Sequence, residues 1–264
     1  MFAFPPDSLL WRVCRERCNL LDGAAAAILQ VAHPKIAAGV RDHSDFRIGP
    51  LARLQRTLDG VNTIAFGTRA QASATSARIA ARHALVRGGV GPDDDAAPYS
   101  ADDPELLMWV IATLVMAAVV GYERALPPLT EDAKAAFYAD MRRFGTYFGL
   151  PEHVGPRTWG EFVAYYERML ADEAMGSSEV SRAMAWAVAA PERPWWLRVL
   201  SRPARFAVVE TLPSPVRERL GFRSTGWTRL AMRLVSRAMP WVVPLLPARV
   251  RYAPQYLDAV KRPG

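Results

Sequence analysis

An uncharged stretch of 17 residues, LLMWVIATLVMAAVVGY, runs from Leu106 to Tyr122 and is bounded closely by Glu105, Glu123 and Arg124. Its length is at the lower edge of what can cross the hydrocarbon core of a bilayer. A helix that is apolar on all sides is also typical of the centre of a large helical protein. We predict a buried central helix, which needs other helices packed around it, and keep a membrane span as the alternative.

The rest of the chain carries the signals of further helices. Pro50–Phe66 has proline in its first turn and glycine directly after it, and Gly88–Gly89 closes Arg69–Arg87. We find no run of alternating apolar and polar residues long enough to predict a strand, and we interpret 91–100 as a polar loop. The other predicted helices are Asp7–Cys18, Asp22–Ala32, a short one from Pro34 towards Val40, Ser100–Leu126, Thr130–Phe148, Thr158–Asp172 and Ser177–Val188.

These patterns predict an all-α protein with a single multi-helix globular domain. The chain of 264 residues is long enough to bury a sizeable core. We place the main helical domain at residues 1–190. Repeated prolines break residues 191–264 into short helices, and we expect this extension to pack on the same domain.

The C-terminal extension holds most of the positive charge. It has 14 Lys/Arg and 4 Asp/Glu, a net charge of +10, whereas the remainder of the chain has a net charge of −3. Arginine combined with Trp195, Trp196, Trp227 and Trp241 on short amphipathic helices suits an anionic membrane surface. We favour over it a solvated basic face with its tryptophans packed inward. We do not expect nucleic acid as a partner, although the charge alone would suit it.

The number of cysteines and the composition of the N-terminus indicate the cellular compartment of the protein. Cys14 and Cys18 are the only cysteines, so a disulfide scaffold is excluded and a reducing environment fits best. We interpret both as packed thiols on one helix face. The N-terminus has no basic region ahead of its apolar residues, unlike a secretory signal. We expect a cytoplasmic protein, with membrane association through 191–264 as a further expectation.

Common catalytic motifs are not found in the sequence. There is no P-loop, no G-x-S-x-G, no H-E-x-x-H and no E-x-x-H of the kind that di-iron bundles use. The scarcity of histidine narrows any proposal of metal binding or acid–base chemistry to His33, His43, His83 and His153. We favour structural roles for His33, at a helix end before proline, and for His43, with a place in a cofactor pocket as the alternative. His153 is expected in an exposed loop.

His83 has the most informative surroundings. Helical spacing predicts that it shares a face with small or apolar residues. Arg53 and Arg56 lie one turn apart on the preceding predicted helix. An imidazole near two arginines would suit a flat dianionic cofactor such as heme, with iron for the histidine and propionates for the arginines. Spacing alone favours a satisfied core histidine beside a solvated pair of arginines over this heme interpretation. The predicted face comprises Ser76, Ile79, Ala80, Val86 and Arg87.

A series of motifs between about Leu20 and Leu170 resembles the MpaB-type oxygenases, a bacterial and fungal family formerly known as a domain of unknown function. This family shares its catalytic domain with the rubber oxygenase, latex-clearing protein. The motifs, in chain order, are LQVAHPKIAAGVRDHSDF, RLQRT, TIAFGT, HALVRG, YSADDPELLMWVIATLV and YYERML.

The resemblance implies an all-helical, heme b-dependent oxygenase or oxidase that uses O₂ on a small apolar substrate, such as an isoprenoid or a lipid. His83 in HALVRG matches the histidine that ligates the heme iron. Arg53, Arg56 and Thr57 match a pocket motif, R-x-x-K-T, and Arg56 stands in place of its lysine. Because arginine cannot deprotonate to bind iron, Arg56 is expected to pair with a propionate or to donate a hydrogen bond.

Ile111 is a second departure from the family pattern. It stands where family members commonly have histidine, in W-V-H-A-T-L. If that histidine lines the pocket, this chain has a drier and less basic site. The departure favours an alternative function, a non-catalytic heme- or lipid-binding protein. A third alternative is a helical scaffold without a cofactor, in which His83 belongs only to the core.

Overall fold

The computed structural model describes residues 1–43, 50–90, 97–189 and 205–262, and for 50–56 it describes the backbone alone. The prediction of an all-α fold is confirmed, with a small antiparallel hairpin as the one sheet among these residues. The strands are β1 Arg87–Val90 and β2 Ala97–Ser100. The helices are α1 Leu9–Cys14, α2 Leu20–Ala32, α3 Pro34–His43, α4 Pro50–Phe66, α5 Arg69–His83, α6 Pro104–Ala125, α7 Glu131–Thr146, α8 Trp159–Ala171, α9 Glu179–Ala189, α10 (described over 205–211), α11 Ser214–Arg219, α12 Gly226–Val242, α13 Ala248–Arg251 and α14 Pro254–Val260.

The helix α6 forms the centre of the fold and contacts α2, α7 and α12. Trp109 of α6 is fully buried, donates its indole N–H to the carbonyl oxygen of Leu29 at 3.1 Å and stacks on Tyr166. Among the described helices, α6 is the one whose length and apolar composition would suit a membrane span. About two-thirds (67%) of the apolar 18-residue segment of α6 is buried inside the protein. This burial supports the interpretation of α6 as a core helix.

Local capping signals explain where most helices begin. The side chain of Thr68 accepts a hydrogen bond from the Gln71 N–H while the Gln71 side chain accepts one from the Thr68 N–H, a complete capping box. The side chain of Thr130 caps α7 by accepting a hydrogen bond from the Ala133 N–H. Predicted helix ends before prolines also hold, since α2 ends at Ala32 and His33 is extended before Pro34.

Two predictions near the N-terminus need correction or refinement. The first helix ends at Cys14, and a short 3-10 turn, Arg17–Asn19, follows it. Cys14 and Cys18 therefore do not share one helix face. Both are free and half-buried, and burial raises the pKa of each thiol to about 12. These thiols are unreactive at neutral pH, as the interpretation of packed thiols requires.

The helix α5 ends at His83 and not at the predicted Arg87, because β1 begins at Arg87 and pairs with β2. A Cβ on Gly88 would lie 2.5 Å from the hydroxyl oxygen of Tyr99, so glycine leaves room for the Tyr99 ring against β1. The predicted loop 91–100 was wrong over its described part, 97–100, which forms β2. Two four-residue strands containing glycine and proline show no usable alternation, which explains the missed hairpin.

The described C-terminal helices pack onto the rest of the protein. The helix α12 contacts α6, α14 contacts α4, and α13 contacts the 3-10 turn near the N-terminus. The N–H of Ala253 donates to the carbonyl oxygen of Arg15 at 2.8 Å. Trp195 and Trp196 lie outside the described residues.

A buried ion pair joins α2 to α6. Arg124 Nη2 lies 2.9 Å from Asp22 Oδ1. The second atoms of the pair, Asp22 Oδ2 and Arg124 Nη1, are buried without a hydrogen-bond partner among the described residues. Burial consequently outweighs the attraction of Arg124 and raises the pKa of Asp22 to about 6.

We expect this raised pKa to make stability depend on pH. Because the folded state binds the Asp22 proton more tightly than the unfolded state, with its ordinary value of 3.8, the contribution of Asp22 is fully present below about pH 4. It is lost as the pH rises through about 6. Urea unfolding of the wild type and Asp22→Asn from pH 4 to 7 should show the wild type losing roughly 2 kcal/mol relative to the variant. Free energies of unfolding that change with pH in parallel in the wild type and in Asp22→Asn would contradict the raised pKa of Asp22.

Candidate functional site

His83 is the last residue of α5 and is half-buried on the face that carries Ala72, Thr75, Ser76 and Ile79. The predicted neighbours Ser76 and Ile79 do lie on this partly buried face. In the part of the chain that the structure describes, the His83 ring makes no hydrogen bond or ion pair. Burial lowers the pKa of His83, and the nearby carboxylate of Asp102 only partly offsets this effect. The ring is therefore neutral at pH 7, the form in which imidazole binds a metal.

The chain after His83 is held by backbone hydrogen bonds. The Val86 N–H donates to the His83 carbonyl oxygen at 2.9 Å, and the Ala101 N–H donates to the Val86 carbonyl oxygen at 3.0 Å. Arg87, which was predicted to share the helix face of His83, instead lies in β1 and approaches Asp102 at 3.8 Å on the surface. No sequence pattern points to Asp102, because it is the hairpin that brings this residue near His83.

The end of α3 packs against the same hairpin. His43 donates its Nε2–H to the carbonyl oxygen of Arg87 at 3.1 Å, since a carbonyl can only accept. The Tyr99 hydroxyl donates to Asp42 Oδ2 at 2.7 Å. Burial and, to a smaller extent, this carboxylate raise the pKa of Tyr99 to about 12. Arg41 binds the same carboxylate through both oxygens and lowers its pKa. The His43 network thus anchors the segment that directly follows His83.

The predicted arginines lie on α4, the helix that precedes α5. A two-residue connection joins α4 to α5, and the two helices contact each other. Arg53 and Arg56 lie in the N-terminal half of α4, whereas His83 is the last residue of α5.

The side chains of Arg53 and Arg56 lie outside the described residues. Thr57, the third residue of the pocket motif, is exposed on α4. All three residues of this motif thus lie on the helix that precedes and contacts α5.

The donor set at this end suits heme better than a bare metal ion. Within the described ranges, no cluster of three or more His, Cys, Asp or Glu side chains could hold a metal ion directly. Heme iron is held mainly by its porphyrin and needs only one protein ligand. A neutral, half-buried imidazole without a competing hydrogen bond, here His83, meets that requirement.

Ile111 occupies a different part of the fold. It is 1% exposed and lies against α7, where its Cγ1 is 3.5 Å from the position of a Cβ built on Gly145. Trp109 and Thr113 bond to α2 on the opposite side of α6. A small surface cleft lined by Ile111 and other residues does not include His83. The other residues of this cleft are Met108, Tyr138, Arg142, Leu150, Pro151, Glu152 and Val154.

The two remaining histidines are less informative. His33 ends α2 as predicted, but its buried Nδ1 finds no hydrogen-bond partner among the described residues. Burial and the nearby Lys35 lower the pKa of His33. His153 is exposed, as predicted for a loop residue.

Comparison with known proteins identifies the family. Residues 11–243 match the model of the "ER-bound oxygenase mpaB/B'/Rubber oxygenase, catalytic domain". Two uncharacterized proteins, from Mycobacterium tuberculosis and Mycobacterium bovis, are each 26% identical over 229 residues, covering 82% of this chain and 88% of the relative. No solved structure matches the chain significantly. Because the family model covers most of the chain, the protein belongs to the family of the MpaB and rubber oxygenase catalytic domain.

Proposed function

We propose that this protein is a heme b-dependent oxygenase or oxidase that acts on a small apolar substrate. The family is that of an oxygenase catalytic domain, which supports the type of reaction. The observation that carries the proposed cofactor is the His83 ring. It is neutral at pH 7, half-buried, and makes no hydrogen bond or ion pair to a described residue.

Each residue of the site has a role in this proposal. His83 holds the iron through its neutral ring, and Arg53 and Arg56 bind the two propionates. The Thr57 hydroxyl is a donor and acceptor on the same helix and can hold a proton near the bound substrate. When bound, heme supplies the activation of O₂ for attack on an apolar alkene.

Neighbouring groups keep the His83 ring in position. The hairpin bonds of Val86 and Ala101 hold the turn that follows the ring. The hydrogen bond from His43 fixes that hairpin against α3. Asp102 is near enough to stabilise positive charge on the imidazole, which makes the ring a stronger electron donor to iron.

Visible absorption of the protein produced with a heme supply tests the proposal. We expect a Soret band in the wild type and its loss, or a clear shift, in His83→Ala. His153→Ala is the matched control, since this exposed histidine lies outside the site, and it should keep the wild-type spectrum. A wild-type protein without a Soret band, or an unchanged spectrum in His83→Ala, would reject the proposed heme ligand. Unchanged thermal stability in that variant, with no heme to lose, would instead favour the scaffold alternative.

A non-catalytic heme- or lipid-binding protein is the second candidate function. Its support is a departure in sequence, because Ile111, which packs against α7 in the core, stands where the family commonly has histidine. Oxygen consumption with apolar alkenes separates the two functions. A heme-loaded protein that consumes no O₂ with any of them would favour binding alone. Ile111→His should change O₂ uptake only if this position takes part in turnover.

A further inference from the structure

The outward face of α12 and of the turn that follows it is strongly apolar. The exposed fractions are 76% for Trp227, 58% for Leu234, 79% for Trp241 and 84% for Leu245. No residue of α12 is fully buried. Soluble proteins seldom expose a continuous apolar patch of this kind without a partner.

Helical spacing separates this face from the one that packs on the protein. The helix α12 contacts α6. Its half-buried residues on the side turned to the protein lie one turn apart and are Met232, Ser236 and Met239. A second stripe, on the far side of α12, has the helical spacing i, i+3, i+7 and i+14. It consists of Trp227, Leu230, Leu234 and Trp241. The exposed stripe is therefore not the packing face of the helix. The expectation of inward-packed tryptophans is wrong for Trp227 and Trp241.

A row of arginines flanks this apolar stripe. Arg229, Arg233 and Arg237 lie one turn apart, and no acidic residue occurs between Gly226 and Val250. Within the described part of the chain these three arginines make no ion pair. Tryptophan prefers the headgroup level of a bilayer, and arginine beside an apolar stripe pairs with anionic headgroups.

We propose that the α12 face docks on the surface of an anionic lipid bilayer, with its helix axis parallel to the membrane plane. The helix has 17 residues and is about 25 Å long, which is shorter than the hydrocarbon core that a spanning helix must cross. Its three arginines also exclude a spanning position and match the flank of an interfacial helix. Nucleic acid fits less well, because the centre of the face is apolar and the charge lies only along one side.

Flotation of the full chain with vesicles tests this surface. We expect binding to phosphatidylcholine vesicles that contain phosphatidylglycerol, weak binding to phosphatidylcholine alone, and a loss of binding as salt rises. Since each arginine near an anionic surface contributes roughly a factor of five, replacing Arg229, Arg233 and Arg237 by glutamine should weaken binding about 100-fold. The double variant Trp227→Ser with Trp241→Ser should lose most of the binding.

The matched control replaces three other exposed arginines by glutamine and leaves α12 intact. These are Arg17, Arg69 and Arg157. This control loses the same charge and should weaken binding much less than the α12 variant. Equal weakening in both, or no preference of the wild type for anionic vesicles, would overturn the proposal. Self-association that disappears in the tryptophan double variant, without vesicle binding, would overturn it in favour of a second copy of the chain. None of these outcomes depends on heme.

Discussion

Replacing Trp109 by alanine is expected to lower the free energy of unfolding by about 3–5 kcal/mol. Trp109 is fully buried in α6, stacks on Tyr166 and donates to the Leu29 carbonyl oxygen. Alanine would leave a large cavity among α2, α6 and α8 and would also leave this carbonyl without its donor. Both losses act in the same direction, because neither the cavity nor the buried carbonyl gains a compensating contact.

Urea unfolding at a fixed pH measures this effect. Trp109→Phe should lose less than the alanine variant, since it fills part of the volume but cannot donate to Leu29. Trp241→Ala is the control, because this tryptophan is exposed and its loss should change stability by no more than about 0.5 kcal/mol. Equal effects of the substitutions at 109 and 241 would show that α6 is not packed as described.

Arg251→Ala should lower the free energy of unfolding by about 3 kcal/mol, because it breaks a buried ion pair and leaves one charge behind. Arg251 Nε and Nη2 lie 2.8 and 2.9 Å from the two carboxylate oxygens of Glu16, whose side chain is 1% exposed. After the substitution Arg15, at 3.4 Å, is the one cation among the described residues that still pairs with that carboxylate.

Arg249→Ala is the matched control for Arg251. It lies in the same short helix, α13, and is exposed, so its removal should have little effect on urea unfolding. The double variant Glu16→Gln with Arg251→Ala should recover part of the lost stability, since no charge then remains buried. An Arg251→Ala protein as stable as Arg249→Ala would contradict a stabilising role of this contact between the N-terminal and C-terminal parts of the chain.

Local signals in the sequence predicted much of the fold. The bounds of Pro50–Phe66 match the structure, and the helix before His33 ends where Pro34 requires. These features depend on residues within one helical turn of each other, so sequence can show them. The hairpin after His83 was missed because its partner strand and the bond from Tyr99 to Asp42, 57 residues apart, come from tertiary contact.

The candidate site also combines features that local sequence shows with features that depend on tertiary contacts. The sequence, through helical patterning and an ordered series of motifs, determined the all-α class, the family and the selection of His83, Arg53, Arg56 and Thr57. It could not show that Asp102 lies near His83, since that proximity depends on how the hairpin folds back.

Only the tertiary structure decided which apolar residues are buried. Trp109 and Trp241 both lie in amphipathic or apolar helices, yet one is buried and the other faces solvent. It likewise decided that Ile111 packs against α7 and that Glu16 pairs with Arg251, 235 residues away. The physical reason is the separation in sequence of the residues that interact. Caps and turns depend on neighbours in sequence, whereas the side of a helix that is buried depends on which other helix packs against it.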